Sequence, residues 1–133
     1  MWKQKAIEAL KSANLKLTPQ RLKLIEIIAE IGNRHPTLAE ILEKVREEFS
    51  TISFSTLYTN ILMLKALGLL EIFAIGDEMR IELNLKPHIN VLDREIRDFC
   101  DDELMRKIEE KIGMKVKIVL VFVDKETKPS ISF

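Results

Sequence analysis

The stretch that decides the architecture is residues 53–83, SFSTLYTNILMLKALGLLEIFAIGDEMRIEL. Ser53 or Ser55 suits a helix N-cap, and Leu57, Ile61 and Leu64 follow at helical spacing. Thr56, Tyr58, Thr59 and Asn60 are assigned to the opposite, hydrogen-bonding side, and Gly68 ends the helix. Two short apolar runs, at about 69–74 and 79–83, flank Gly76-Asp77, and such a turn between such runs predicts a β-hairpin.

Upstream, the pattern predicts three more helices. The first covers about residues 3–13, with Ile7 and Leu10 facing inward. Thr18-Pro19 reads as an N-cap followed by proline at the first helical position. Leu24, Ile27, Ile28 and Ile31 then line one face, and Gly32-Asn33 stops the helix. Thr37 and Glu40 form a capping box ahead of Leu38, Ile41, Leu42, Val45 and Phe49. Three helices, a fourth with a polar face, then a hairpin make a winged helix-turn-helix.

Downstream, Lys86-Pro87 reads as a hinge, because proline biases the preceding residue away from helix. Strands are expected near 89–92 and 95–99, a helix over 101–112 ending at Gly113, and a last strand over 116–123. Acids Asp101, Asp102 and Glu103 complement the positive end of that helix. In the last strand Val116, Ile118, Leu120 and Phe122 line one face, and Val119, Val121 and Val123 the other. A strand apolar on both faces needs cover on both. One helix covers one face; the other takes either the N-terminal domain folded back or, the reading adopted, a second copy of the chain. The expected class is therefore α+β: a winged-helix domain over 1–84, a hinge at about 85–87, and a small α/β dimerisation domain over 88–133.

Apolar residues make up 47% of the 133, enough for a core, and no run reaches the ~18 residues of a membrane span. With no signal-peptide pattern in residues 1–11, a cytoplasmic protein without a membrane partner is expected. Net charge is zero, but it is unevenly spread. Lys3, Lys5, Lys11, Lys16, Arg21 and Lys23 stand against Glu8 alone in residues 1–24, while residues 88–114 carry eight acids against five bases. That split fits a protein touching phosphate with one end, and equally a lysine-rich, well-solvated helix. No phosphate loop or nucleophile–base pair is present, so no enzyme is expected.

The order of these motifs resembles the ferric uptake regulator family. Leu17-Thr18-Pro19-Gln20-Arg21, His35-Pro36-Thr37 followed by Ala39-Glu40-Ile41, and the run Ser53, Thr56-Leu57-Tyr58, Ile61, Leu64, Leu67-Gly68-Leu69 carry the resemblance, which spans about residues 12–123. It implies a homodimeric repressor that places its fourth helix in the major groove of double-stranded DNA. The implied contacts are Ser53, Ser55, Thr56, Tyr58, Thr59 and Asn60, with Lys16 and Arg21 on the DNA backbone. Asparagine reads an adenine edge, tyrosine packs on a thymine methyl or reaches a phosphate, and hydroxyls bond either. Where many members have arginine after the tyrosine, this chain has Thr59.

The resemblance also implies a divalent metal at the hinge, held by His35, Glu82, His88 and Asp98, with Asn90 where a second histidine is usual. Two imidazoles and two carboxylates suit Mn²⁺, Fe²⁺ or Zn²⁺. Set against this, His35 and His88 are the only histidines, and the carboxylates have Arg80, Arg94 and Arg97 as alternative partners. The family's cysteine pairs are missing, with Asp93 in the place of the first, so a four-cysteine structural zinc is not expected; Cys100 reads as a filler. Two other readings stand beside the metal-responsive repressor. One is a metal-independent winged-helix regulator; the other is a winged-helix protein-interaction module that does not bind DNA.

Overall fold

The computed structural model describes residues 1–124; the segment 125–133, and with it the role expected for the C-terminal tail, lies outside the described residues. The chain separates into two compact units, Met1–Leu85 and Lys86–Phe133.

The first unit contains α1 (Trp2–Ser12), α2 (Pro19–Ile31), a 3₁₀ turn (Gly32–Arg34), α3 (Leu38–Arg46), α4 (Phe54–Ala66) and the antiparallel pair β1 (Glu71–Ile75) and β2 (Glu78–Glu82). Hydroxyl caps start three of its four α-helices. Thr18 accepts from the Arg21 backbone N–H, Thr37 from Glu40, and Ser53, rather than Ser55, from Thr56. The end of α4 is a Schellman turn: Gly68 has φ +74°, its N–H donates to Lys65, and the Leu69 N–H donates back to Leu64. This turn drives Leu69 and Leu70 into the core just before β1 begins.

The core is built from Leu24, Ile25, Ile28 and Ile31 of α2, Ile41 and Val45 of α3, Leu57, Ile61 and Leu64 of α4, and Ile81 of β2. From α1 it receives Ala6 and Leu10; Ile7, expected to face inward, is only half-buried. The Trp2 indole donates to the Leu69 carbonyl at 2.8 Å and ties α1 to the exit of α4. A single isolated β-bridge adds the segment before α3 to the edge of this two-stranded sheet. Thr37 bridges Arg80, and the Ile81 N–H donates to the Pro36 carbonyl at 3.2 Å.

The second unit contains β3 (His88–Leu92), β4 (Ile96–Phe99), α5 (Asp102–Ile112) and β5 (Ile118–Phe122). Its sheet has the order β4-β3-β5, with β4 antiparallel and β5 parallel to the central β3. Asp101 caps α5, and Gly113 at φ +71° ends it. β5 is an edge strand and shorter than the 116–123 expected. Val121, Phe122 and Val123 remain exposed in the single chain, Phe122 by 68%, and Phe99, Leu104, Ile112 and Met114 are exposed with them.

Because Leu57 is fully buried, Leu57→Ala is expected to cost about 2–5 kcal/mol, while Thr18→Ala costs about 1 kcal/mol through loss of a cap. Chemical denaturation of both variants checks the ranking.

Candidate functional site

The polar side of α4 faces an open groove of about 690 Å³, walled by Asn14, Leu15, Lys16, Thr18, Gln20 and Arg21 on one side and by Ser55, Thr56, Thr59 and Asn60 on the other. Ser53, Ser55, Thr56 and Thr59 are exposed, as is Lys16. The hydroxyls are held in place: Ser53 Oγ donates to Thr56 Oγ1 at 3.0 Å, and Thr59 Oγ1 donates to the Ser55 carbonyl at 2.9 Å. Tyr58 is half-buried, packs on the core, and stacks on the exposed Phe54 with ring centroids 5.9 Å apart and planes within 10°. Phe54 carries no hydrogen-bonding group and so gave no sign of itself in the sequence; it stands exposed at the first turn of α4.

Asn60 lines this groove with Thr56 and Thr59, yet unlike them it is buried, as Leu57, Ile61 and Leu64 are. Position 60 lies three residues after 57 and four before 64, so it flanks the apolar stripe. Its burial is offset by a partner: Arg21 Nε donates to Asn60 Oδ1 at 3.0 Å, and Arg21 Nη1 donates to the Lys16 carbonyl at 2.8 Å.

A second set of chemistry-bearing side chains lies outside that groove lining. In the antiparallel register that pairs Thr37 with Arg80, position 35 falls opposite position 82. His35 Nε2 accordingly lies 3.1 Å from Glu82 Oε2, both side chains buried, and the Asn84 N–H donates to the same carboxylate oxygen at 3.2 Å. Arg80, weighed as a partner for the carboxylate, donates to the His35 carbonyl at 2.9 Å and lies 4.0 Å from Glu78. His35 has φ +55°, a left-handed conformation that among non-glycine residues asparagine, aspartate and histidine adopt most readily, and its ring meets Phe73 edge-on at 6.0 Å. Two ligands about 2.1 Å from one ion and about 90° apart lie about 3.0 Å from each other. The spacing of this imidazole and carboxylate fits such a pair.

The second unit presents His88 and Asn90, two residues apart on β3 and so on one face, with Asp98 directly across from Asn90 on β4. His88 and Asn90 are buried and Asp98 is exposed. His88 Nδ1 is 2.7 Å from the Lys86 carbonyl. A carbonyl only accepts, so Nδ1 carries a proton, and in the neutral ring Nε2 then holds the lone pair, the arrangement found behind metal-ligating histidines. Arg97, another partner weighed for these acids, lies 4.0 Å from Asp93.

A family model described as the ferric uptake regulator family matches residues 12–124. The "Ferric uptake regulation protein homolog" of Archaeoglobus fulgidus is 56% identical over 125 residues, 93% of this chain and 98% of that protein. The chain belongs to the ferric uptake regulator family. Among solved structures, the peroxide stress regulator of Campylobacter jejuni matches with TM-score 0.62 at 28% identity, over 92% of this chain and 98% of that one. The Helicobacter pylori ferric uptake regulator matches with TM-score 0.70 at 19% identity, over 97% and 96%.

As a family member, the protein is a DNA-binding transcriptional repressor that works as a homodimer, responds to metal, and is not an enzyme. Other solved structures similar to it carry zinc, manganese or iron. The α+β architecture, with its winged helix ahead of a small α/β unit, is the family's. No helix among the described residues is long and apolar enough to cross a membrane. Cys100, the single cysteine, is exposed rather than a filler, and one thiol per chain cannot build a four-cysteine zinc site within it.

The left-handed backbone at His35 gives a direct check on its placement. His35→Asn is expected to fold with a loss smaller than that of His35→Val by about 1–2 kcal/mol, since asparagine tolerates this conformation and a β-branched residue does not. Thermal melts of the two variants measure the difference.

Proposed function

We propose that the protein is a cytoplasmic repressor whose grip on DNA is coupled to a divalent ion held by His35, Glu82, His88 and Asp98, with the Asn90 side-chain oxygen as a weaker fifth donor. The observation that carries this reading is the 3.1 Å approach of His35 Nε2 to Glu82 Oε2, fixed by strand register in the first unit. It is supported in the second unit by His88, whose Nδ1 is committed to a backbone carbonyl, and by Asn90 and Asp98 paired across two strands. The Helicobacter pylori relative, reported with three functional metal binding sites, is consistent with it. The donor set of nitrogen and oxygen, without sulfur, suits Mn²⁺, Fe²⁺ or Zn²⁺. When bound, the ion supplies a link between residues of two units, and the energy of that link favours one spacing of the recognition helices over others.

The first unit, in this reading, is the DNA-binding domain. Ser53, Ser55, Thr56, Tyr58 and Thr59 face the major groove from α4, and Lys16 and Arg21 meet the phosphate backbone. The second unit is the dimerisation domain. Its support is the exposed edge strand β5 with Val121, Phe122 and Val123, an apolar surface that a second copy covers.

Calorimetric titration of chelator-stripped protein with Mn²⁺ and with Zn²⁺ tests the ion. Saturable binding near one ion per chain is expected, weakened more than about 100-fold in His88→Ala. Binding unchanged in that variant sinks the assignment and leaves a metal-independent repressor. For the dimer, Phe122→Glu places a charge in the proposed contact and is expected to weaken association by about tenfold or more. Sedimentation equilibrium reads this out, and an undiminished dimer places the contact elsewhere.

A further inference from the structure

Arg21 has a position that phosphate binding alone does not require. Its guanidinium is fixed at two of its three nitrogens, Nε by Asn60 Oδ1 at 3.0 Å and Nη1 by the Lys16 carbonyl at 2.8 Å. Arginine has five N–H donors, and these two bonds leave both donors on Nη2 and one on Nη1. Among the described residues no carboxylate lies within ion-pair distance of Arg21, so its charge is not neutralised within the first unit. The side chain is half-exposed at the groove between Lys16, Gln20, Thr56 and Thr59. Asn60, in contrast, is only 9% exposed and has given its oxygen to Arg21. Reading adenine bidentately takes both the oxygen and the amide nitrogen of an asparagine, and this oxygen is already engaged.

We propose that Asn60 is a positioning residue: it holds the Arg21 guanidinium so that the remaining N–H donors seat one DNA phosphate, and it does not read a base. The Arg21–Asn60 bond joins the start of α2 to the middle of α4 across 39 positions of sequence. A phosphate seated on Arg21 thereby fixes how deep and at what angle α4 enters the groove. The hydroxyls of Thr56 and Thr59 meet the bases in one register only. Asn60 contributes to affinity on every sequence, and the bases are discriminated by its neighbours on the exposed side of α4. This inference rests on the DNA-binding reading of α4 given above.

The test uses the full-length dimer, a duplex selected by the wild-type protein from a random pool, and a non-specific duplex of equal length. Affinities are measured over a range of salt for wild type, Arg21→Ala, Asn60→Ala, the near-isosteric Asn60→Asp, and the Arg21→Ala/Asn60→Ala double variant. Each phosphate contact contributes about 0.9 to the slope of log affinity against log salt, so loss of one seat per protomer makes the slope shallower by about two. Arg21→Ala and Asn60→Ala are expected to show this loss on both duplexes, and the double variant to fall no further than either single. Asn60→Asp neutralises Arg21 in place and is expected to show the same shallower slope with unchanged base preference.

A base-reading Asn60 gives the opposite pattern. The slope is kept, preference at one position of each half-site is relaxed in Asn60→Ala, and in Asn60→Asp it turns from adenine toward cytosine. That pattern overturns the proposal, as does an Asn60→Ala protein that binds both duplexes like wild type. Should Asn60→Ala fail to fold, Asn60→Asp and Arg21→Ala decide the matter. Absence of salt-dependent binding by the wild type sinks the DNA-binding reading itself and is thus distinguishable from failure of the positioning role.

Discussion

One strand register holds the functional geometry of the first unit together. The Pro36-Thr37 segment adds to the hairpin through Thr37–Arg80 and the Ile81 N–H bond to Pro36, and a single such register fixes every facing pair along it. It sets His35 against Glu82, while the Thr37 hydroxyl, one residue before α3, caps that helix. Arg80 holds the His35 carbonyl from the same strand. A slip of one residue would turn Glu82 to the other face of the sheet and separate the imidazole from the carboxylate. The left-handed backbone of His35 lies where the 3₁₀ turn ends, two residues before the bridging, helix-capping Thr37.

The features legible in the sequence are those that short-range chemistry determines. Thr18, Thr37, Ser53 and Asp101 cap helices because a hydroxyl or carboxylate reaches a backbone N–H within three residues, and that reach does not depend on the rest of the fold. Gly68 and Gly113 end helices because they take a positive φ at little cost. Asn60 lies on the polar side of α4 that its chemistry suggests, but its burial there was not legible, because it depends on a distant arginine supplying a partner. Ala6 is buried more deeply than Ile7 for a similar reason: which flank of a helix turns inward is decided by its neighbours. The pairing of His35 with Glu82, 47 positions apart, follows from sheet register and not from periodicity. Only the resemblance to a family brought the two together before the fold was known.

The charge distribution takes on meaning with the fold in place. Lys16 and Arg21 stand at the groove beside α4, whereas the turn of the hairpin carries Asp77 and Glu78. Positive charge therefore stands where α2 begins, while the hairpin turn is acidic. The zero net charge hides this asymmetry and so says little about whether the protein binds nucleic acid.

The second unit is thinly built. α5 buries only Met105, the edge strand leaves Val121 and Phe122 uncovered, and no cluster of cysteines is available to staple it with zinc. A unit this small holds little core of its own, and whatever partner covers its apolar surface in the dimer adds to its stability by mass action. Mass action then links stability to abundance. As protomer concentration falls, the population of paired chains falls faster than the total, and the dissociated chains lose cover as well as partner. Such a repressor has a concentration below which it is not merely scarce on its operators but exposed to proteolysis, which sharpens the dependence of repression on how much of the protein a cell maintains.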